Sequence, residues 1–238
     1  MESEAGVQEN LCSLVVKDKA IACSKFLACF LTPSQCGVAS GREFGEEREV
    51  TILFTDIRGS TSLAETRLPY DVIFVLNHLF AGLADAVESA GGYYSNFTGD
   101  GLMALFGLET VPDKGALAAL NCAVSMFEAV DGLNERLAGE LETPLAIGIG
   151  IHTGEAIVGR MGPPKTPIIS AIGDSVNTTA RLESATKELG MPLVVSVETL
   201  RAAAISMPRP LHEVSLRGRS MTMAVAALDA KSLRGLLS

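Results

Sequence analysis

The sequence predicts a mixed domain of helices and strands, of the α+β class, on three observations. From Val50 onward, apolar β-rich runs such as Val50-Thr51-Ile52-Leu53-Phe54 alternate with helix-length stretches. In those stretches the apolar residues recur at steps of three and four, as in Val72, Val75, Leu76, Leu79, Leu83 and Val87. Glycine and proline punctuate the boundaries, as at Pro69, Gly91-Gly92 and Gly190.

Residues 1–47 read differently from the rest. Leu11, Leu14, Val15 and Val16 mix with Lys17, Lys19 and Lys25 without a sustained period, and Pro33-Ser34-Gln35-Cys36-Gly37 breaks the pattern. A short helix or two feeding a linker, and a loosely ordered tail, are both open readings. The ordered domain is expected over 48–229, with a tail over 230–238. Its first strand starts at Val50 and stops in the polar turn after Asp56. An amphipathic helix follows over 69–90 with proline in its first turn, and a hairpin around Asp100 comes next. A second helix is expected over 113–138, carried by Leu117, Leu120, Val124, Phe127 and Leu133. Residues 145–151 read as a buried strand, with 155–158 as its hairpin partner across Thr153-Gly154. A third helix spans 174–189 and stops at Gly190. A strand at 193–196, a short helix at 198–204 and strands near 211–216 and 221–228 complete the domain.

Composition narrows the functions. The chain has 238 residues, enough to bury a core, and a formal net charge of −9. That charge argues against nucleic acid or an anionic membrane as the main partner, so an anionic nucleotide would need locally placed cations. No apolar run reaches the length of a membrane span, and Glu2 and Glu4 replace the basic start of a signal peptide, so a cytoplasmic location is expected. Of the five cysteines, Cys12, Cys23, Cys29 and Cys36 crowd the N-terminal segment with irregular spacing that suits buried thiols better than a metal site, and Cys122 stands apart.

Two carboxylates stand out. Asp56 ends the first apolar run in Phe54-Thr55-Asp56-Ile57-Arg58-Gly59-Ser60-Thr61, and Asp100 sits between glycines in Asn96-Phe97-Thr98-Gly99-Asp100-Gly101. A strand, a crossover helix and a hairpin can carry both to one edge of a sheet. Forced together, such carboxylates repel, and divalent cations with oxygen ligands relieve them. The alternative is a strand end and an ordinary Gly-Asp-Gly turn. The third helix adds Asn177 and Arg181, four apart and so on one face. Arg181 there can clamp phosphate oxygens in a bidentate fork; the alternative is an Asn/Arg surface pair, with room for a salt bridge from the Arg to a neighbouring Glu.

Taken with Ile149-Gly150-Ile151-His152-Thr153-Gly154 and the 173–183 segment, these motifs stand in an order that resembles the catalytic domain of the class III nucleotidyl cyclases. The resemblance covers about three quarters of the chain, from Val50 to Leu228. It implies a ferredoxin-like β-α-β-β-α-β core with additional C-terminal strands and helix, working as a head-to-tail homodimer with nucleotide sites between chains. It further implies that Asp56, Asp100 and the backbone carbonyl of Ile57 hold two divalent cations, Mg²⁺ or Mn²⁺. Asn177 and Arg181, from the opposite subunit, would orient the ribose and stabilise transition-state charge. The terminal phosphates would meet Arg217, with Arg219 as a substitute, and the backbone of Gly59, Ser60 and Thr61.

The expected reaction is conversion of ATP to 3′,5′-cyclic AMP and pyrophosphate. The family's two base-recognition positions hold Asn96 and Ser170, in place of the Lys with Asp or Thr of adenylate cyclases and the Glu with Cys of guanylate cyclases. An Asn amide can donate to adenine N1 and accept from its N6 amino group, which favours ATP. The alternatives are a guanylate or mixed-specificity cyclase and, from another class, an inactive nucleotide-sensing or dimerisation module. A further departure is Gly148, where many relatives carry Arg; Arg58 and Lys165 are cations able to take its place. His152 is expected as a packing residue at a strand end, Met103 and Met126 as core fillers, and His78 and His212 as residues without a site. A regulatory domain or partner is not identified by the sequence.

Overall fold

In the computed structural model, which describes residues 45–60, 63, 65, 67–97, 100–109, 112–215 and 222–238, everything is laid against one long strand. That strand is β1 (Glu46–Ile57), followed by α1 (Pro69–Ser89), β2 (Tyr93–Phe97), β3 (Gly101–Phe106), α2 (Pro112–Arg136) and β4 (Ile147–Met161). After these come β5 (Ile168–Ile172), α3 (Asp174–Glu188), β6 (Leu193–Ser196), α4 (Val197–Ala202), β7 (His212–Ser215), β8 (Thr222–Leu228) and α5 (Ala230–Leu237). The sheet order is β2-β3-β1-β4-β6-β8-β7, with β5 paired to β4. Its first half is the expected β-α-β-β-α-β unit: β1 lies between β3 and β4, antiparallel to both. The N-terminal segment with Cys12, Cys23, Cys29 and Cys36 lies outside the described residues as far as residue 44, while Glu46 and Glu47, expected in the linker, already pair in β1.

Strand alternation divides the core into two layers. Leu53 and Ile57 of β1 face the larger core with Ile149 and Ile151 of β4, packed under α1 and α2 through Leu79, Leu83, Leu120 and Met126. Val50 and Ile52 face the opposite side, where Met103 and Ala156 join them and Val176 of α3 packs. By the same parity Asp56 belongs to the α3 side. By length and mean hydropathy α1 and α2 reach what a membrane span needs, contrary to the expectation above. Each nevertheless turns an apolar stripe onto the sheet, as a core helix does. Leu117, expected in that stripe, is 40% exposed, because Ala116, Ala119 and Ala123 take the inward positions.

Two expectations are corrected. Thr153-Gly154 is not a turn: β4 runs unbroken through it, and its hairpin partner is β5, with Val158 opposite Ala171. Glycine serves here for close approach of another backbone, not for chain reversal. A Cβ on Gly150 would lie 2.2 Å from the Glu183 backbone N, and one on Gly154 would lie 2.6 Å from Ser175 Oγ, both on α3. The alternation Ile147-Gly148-Ile149-Gly150-Ile151 thus puts bulk into one core and a bare track under the helix on the other side. The tail expected over 230–238 instead forms α5, capped by the Asp229 carboxylate accepting from Ser232 N at 2.7 Å. Leu233 buries fully, and Arg234 pairs with Glu128 of α2 at 3.1 Å.

His152 sits in mid-strand and buried, not at a strand end. Its Nδ1 lies 2.9 Å from Ser196 Oγ, which joins a buried chain of hydroxyls through Thr199, Thr153 and Thr51. Burial lowers its pKa below the ordinary histidine value, against the pull of Glu198 and Asp174. Below about pH 6.5 the unfolded chain therefore binds a proton that the native state refuses, and stability falls as pH drops. Denaturant titrations between pH 7.5 and 5.5 should show this slope in the wild type, at most ~1.4 kcal/mol per pH unit, and a flatter one in His152→Asn. Equal slopes would mean that the imidazole titrates freely.

Candidate active site

The two carboxylates meet because β1 and β3 are neighbours in antiparallel register. Asp56 stands opposite Gly101, and the Ile57 N–H donates to the Asp100 carbonyl at 3.2 Å. The two carboxylates thus stand at the same end of neighbouring strands. Ser60, in the turn after β1, donates to Asp100 Oδ2 at 2.5 Å. That hydroxyl holds the Asp100 carboxyl below its ordinary pKa, with Asp56 and Lys187 adding to the effect and partial burial opposing it. Asp56 has a cation on it: Lys187 Nζ, from the last turn of α3, lies 2.8 Å from Oδ2. The carboxylate in turn raises the lysine's pKa.

A second pair of contacts ties the same helix end to β1. The Arg58 guanidinium donates to Thr186 Oγ1, which itself donates to the Glu183 carbonyl. Arg58 also covers the bare face of Gly148, where a Cβ would come within 2.6 Å of Nη2. Of the two cations that could stand in for the family arginine, Arg58 is therefore at Gly148, while Lys165 is exposed in the turn between β4 and β5. Between these contacts lies Glu183, only 9% exposed, whose Oε1 has no hydrogen-bond partner. Burial, then the charge of Asp56, raises its pKa. Thr186, Lys187 and Glu183 were not found by sequence reasoning, which named Ser60 for its backbone alone and not for the hydroxyl on Asp100. The only signal was helical phase, since Glu183 and Lys187 are one turn apart on a helix already of interest.

Asn177 and Arg181 lie on α3, the first exposed and the second half-buried. Arg181 makes no ion pair with a Glu among the described residues. The helix runs from Ser175, whose Oγ donates to the Glu155 carbonyl at 2.7 Å, to Lys187 at Asp56. Six residues of helix, a rise of about 9 Å, separate Arg181 from Lys187. The Asn/Arg couple is carried by α3 and the acidic couple by β1 and the turn before β3, with the Lys187–Asp56 contact linking that helix to the acidic couple.

The base-recognition candidates lie on neighbouring strands. Asn96 is in β2 opposite Met103, just past a bulge after Tyr94, and Ser170 is half-buried in β5 opposite Gly159. One bond links the strands: Ile169 N–H donates to the Tyr93 hydroxyl at 3.4 Å. Gly59 has a positive φ of 69° in the turn after β1, with Ser60 beside it. Thr61, Arg217 and Arg219 lie outside the described residues.

The donor set suits hard divalent cations. Both side chains are carboxylates, and an ammonium already occupies one of them. Among the described residues no third His, Cys, Asp or Glu is placed to hold a metal with them, so the remaining ligands would be backbone, water or substrate oxygens.

Known proteins match most of the chain. Residues 43–227 match the family model described as "Adenylate and Guanylate cyclase catalytic domain". An adenylate cyclase of Anabaena cylindrica is 35% identical over 191 residues, which are 78% of this chain and 37% of that protein. The chain thus spans little more than a third of that relative's length. Among solved structures, the guanylyl cyclase Cya2 superposes with a TM-score of 0.69 at 36% identity, covering 76% of this chain and 91% of that one. The adenylyl cyclase CyaB from P. aeruginosa gives 0.66 at 26% identity, covering 76% and 93%. Relatives named for either nucleotide are similar to this chain, at 35% identity for the Anabaena adenylate cyclase and 36% for the guanylyl cyclase Cya2, so base preference must be argued from this chain's own residues.

Proposed function

Since this chain belongs to the adenylate and guanylate cyclase catalytic-domain family, we propose that two copies of it convert a nucleoside triphosphate, ATP in preference to GTP, to the 3′,5′-cyclic nucleotide and pyrophosphate. The observation that carries this reading is the meeting of Asp56 and Asp100 at one sheet end, with a cation drawn onto the pair. Two divalent cations, Mg²⁺ or Mn²⁺, held by these carboxylates with the Ile57 carbonyl, would supply activation of the ribose 3′-hydroxyl and neutralisation of phosphate charge.

The chain's own groups do the rest. The Ser60 hydroxyl keeps Asp100 ionised and aimed. The turn at Gly59 and Ser60, with Thr61, offers backbone N–H groups to phosphate oxygens, and Arg217 and Arg219 take the terminal phosphates. Asn177 of the second copy orients the ribose, and its Arg181 takes up charge developing on the α-phosphate oxygens. The 3′-oxygen bonds to the α-phosphorus, the bond to pyrophosphate breaks, and the hydroxyl proton passes to solvent. Asn96 and Ser170 read the base, Asn96 with an amide that matches the adenine edge. The two copies pair head to tail, so that each supplies one couple to each site.

Incubating the purified chain with ATP and, separately, GTP in the presence of Mn²⁺, then resolving the products, tests the reading. Cyclic AMP in excess over cyclic GMP is the expected result. A GTP preference would overturn the base assignment, and nucleotide binding with no cyclic product would leave a sensing module in place of an enzyme.

A further inference from the structure

We propose that Lys187 is the resident counter-ion of Asp56, a tethered cation that a divalent metal must displace before the candidate site can load. The inference deepens the reading above and rests on its assignment of Asp56 as a metal ligand. Its ground is positional. Lys187 Nζ lies 2.8 Å from Asp56 Oδ2, within hydrogen-bonding distance of the oxygen that a cation would need. The lysine side chain is 55% exposed and the aspartate 23%, so the ammonium can swing into solvent on its four-carbon stem without unpacking anything.

The surrounding charges explain why a cation sits there and why it can leave. Facing Lys187 are Asp56 from β1, Arg58 from the turn after it, Glu183 from its own helix and Asp100 from the hairpin. Three carboxylates against two cations leave the cluster short of positive charge, and Glu183 is buried with one oxygen unpartnered. Lys187 makes up part of that deficit. Arg58 is committed to Thr186 and to the face of Gly148, so it stays when the lysine goes. Once a divalent ion supplies the missing charge, Lys187 becomes the redundant cation and is repelled. An exposed pair of this kind is held weakly enough to exchange. Lys187 also ends the helix that carries Asn177 and Arg181, so loading one site alters a contact on the helix proposed to complete the other.

The test is Mn²⁺ binding to the full chain without nucleotide, read as free Mn²⁺ by electron paramagnetic resonance. Lys187→Gln should bind Mn²⁺ about 3- to 10-fold more tightly than wild type, from the lost competitor and the lost repulsion. Lys187→Arg, which keeps the charge, should stay within about twofold of wild type. Affinity in Lys187→Gln equal to or weaker than wild type would overturn the proposal. A separate arm guards the underlying reading: Asp56→Asn must lose Mn²⁺ binding. If it does not, the metal assignment itself falls, independently of the lysine.

Discussion

Asp56→Ala and Arg181→Ala will each lose cyclase activity by at least about 10²–10³-fold, and an equimolar mixture of the two will recover about a quarter of the wild-type rate. The losses follow from chemistry. Asp56 is half of the carboxylate pair, and Arg181 is the fork on the Asn/Arg couple whose side chain no described Glu engages. The recovery follows from geometry. In the proposed head-to-tail dimer each site takes its acidic couple from one copy and its Asn/Arg couple from the other. In a mixed dimer, the chain with intact Asp56 meets the chain with intact Arg181 at one site, and the other site loses both. Half of the randomly formed dimers are mixed and each has one working site of two, which sets the fraction recovered. A mixture no more active than its parts would refute the shared site. Equilibrium mixing should be checked by size-exclusion chromatography of tagged chains.

Gly150→Val will destabilise the domain by at least about 1–3 kcal/mol, a drop in Tm of roughly 2–4 °C for each kcal/mol. A side chain at this position would meet the Glu183 N at 2.2 Å, the Thr179 carbonyl at 2.7 Å and the Glu183 Cα at 2.8 Å. All three are backbone atoms of α3, so no rotamer change relieves the clash and the helix itself must lift. Lifting α3 moves Arg181 and Lys187 together, so activity and Mn²⁺ affinity should shift along with Tm. Gly132→Ala is the control: a Cβ there meets nothing within 4 Å in the middle of α2, and it should raise stability by about 0.5–1 kcal/mol. If Gly150→Val melts at the wild-type temperature, α3 is not seated on the glycine track.

How far these features were legible differs from residue to residue. The α1 stripe through Val75, Leu79, Leu83 and Val87 was readable because an apolar face repeating every three to four residues has few other uses. Asp56 and Asp100 were legible as a pair because the intervening crossover helix and hairpin leave β1 and β3 as neighbours. Gly154 was misread. In sequence a glycine after threonine looks like a turn, and only the arrival of a helix from 20 residues further on, at Ser175 Oγ, gives it a different use. The C-terminal helix α5 was missed for a related reason: eight residues are too few to show a period, and Leu233 is fixed by α2, which lies about a hundred residues earlier.

By itself the sequence determined the class of fold, the order of its elements, the family and the four side chains expected to do the chemistry, since periodicity, punctuation and motif order are local properties of the chain. Only the tertiary structure decided that Ser60 holds Asp100, that Arg58 fills the space beside Gly148, that Glu183 is buried, and that Lys187 lies on Asp56 from 131 positions away. Those contacts depend on the phase at which α3 crosses β1 and β4. That phase is set by which strand residues lack a side chain, and it is expressed only when the two backbones meet.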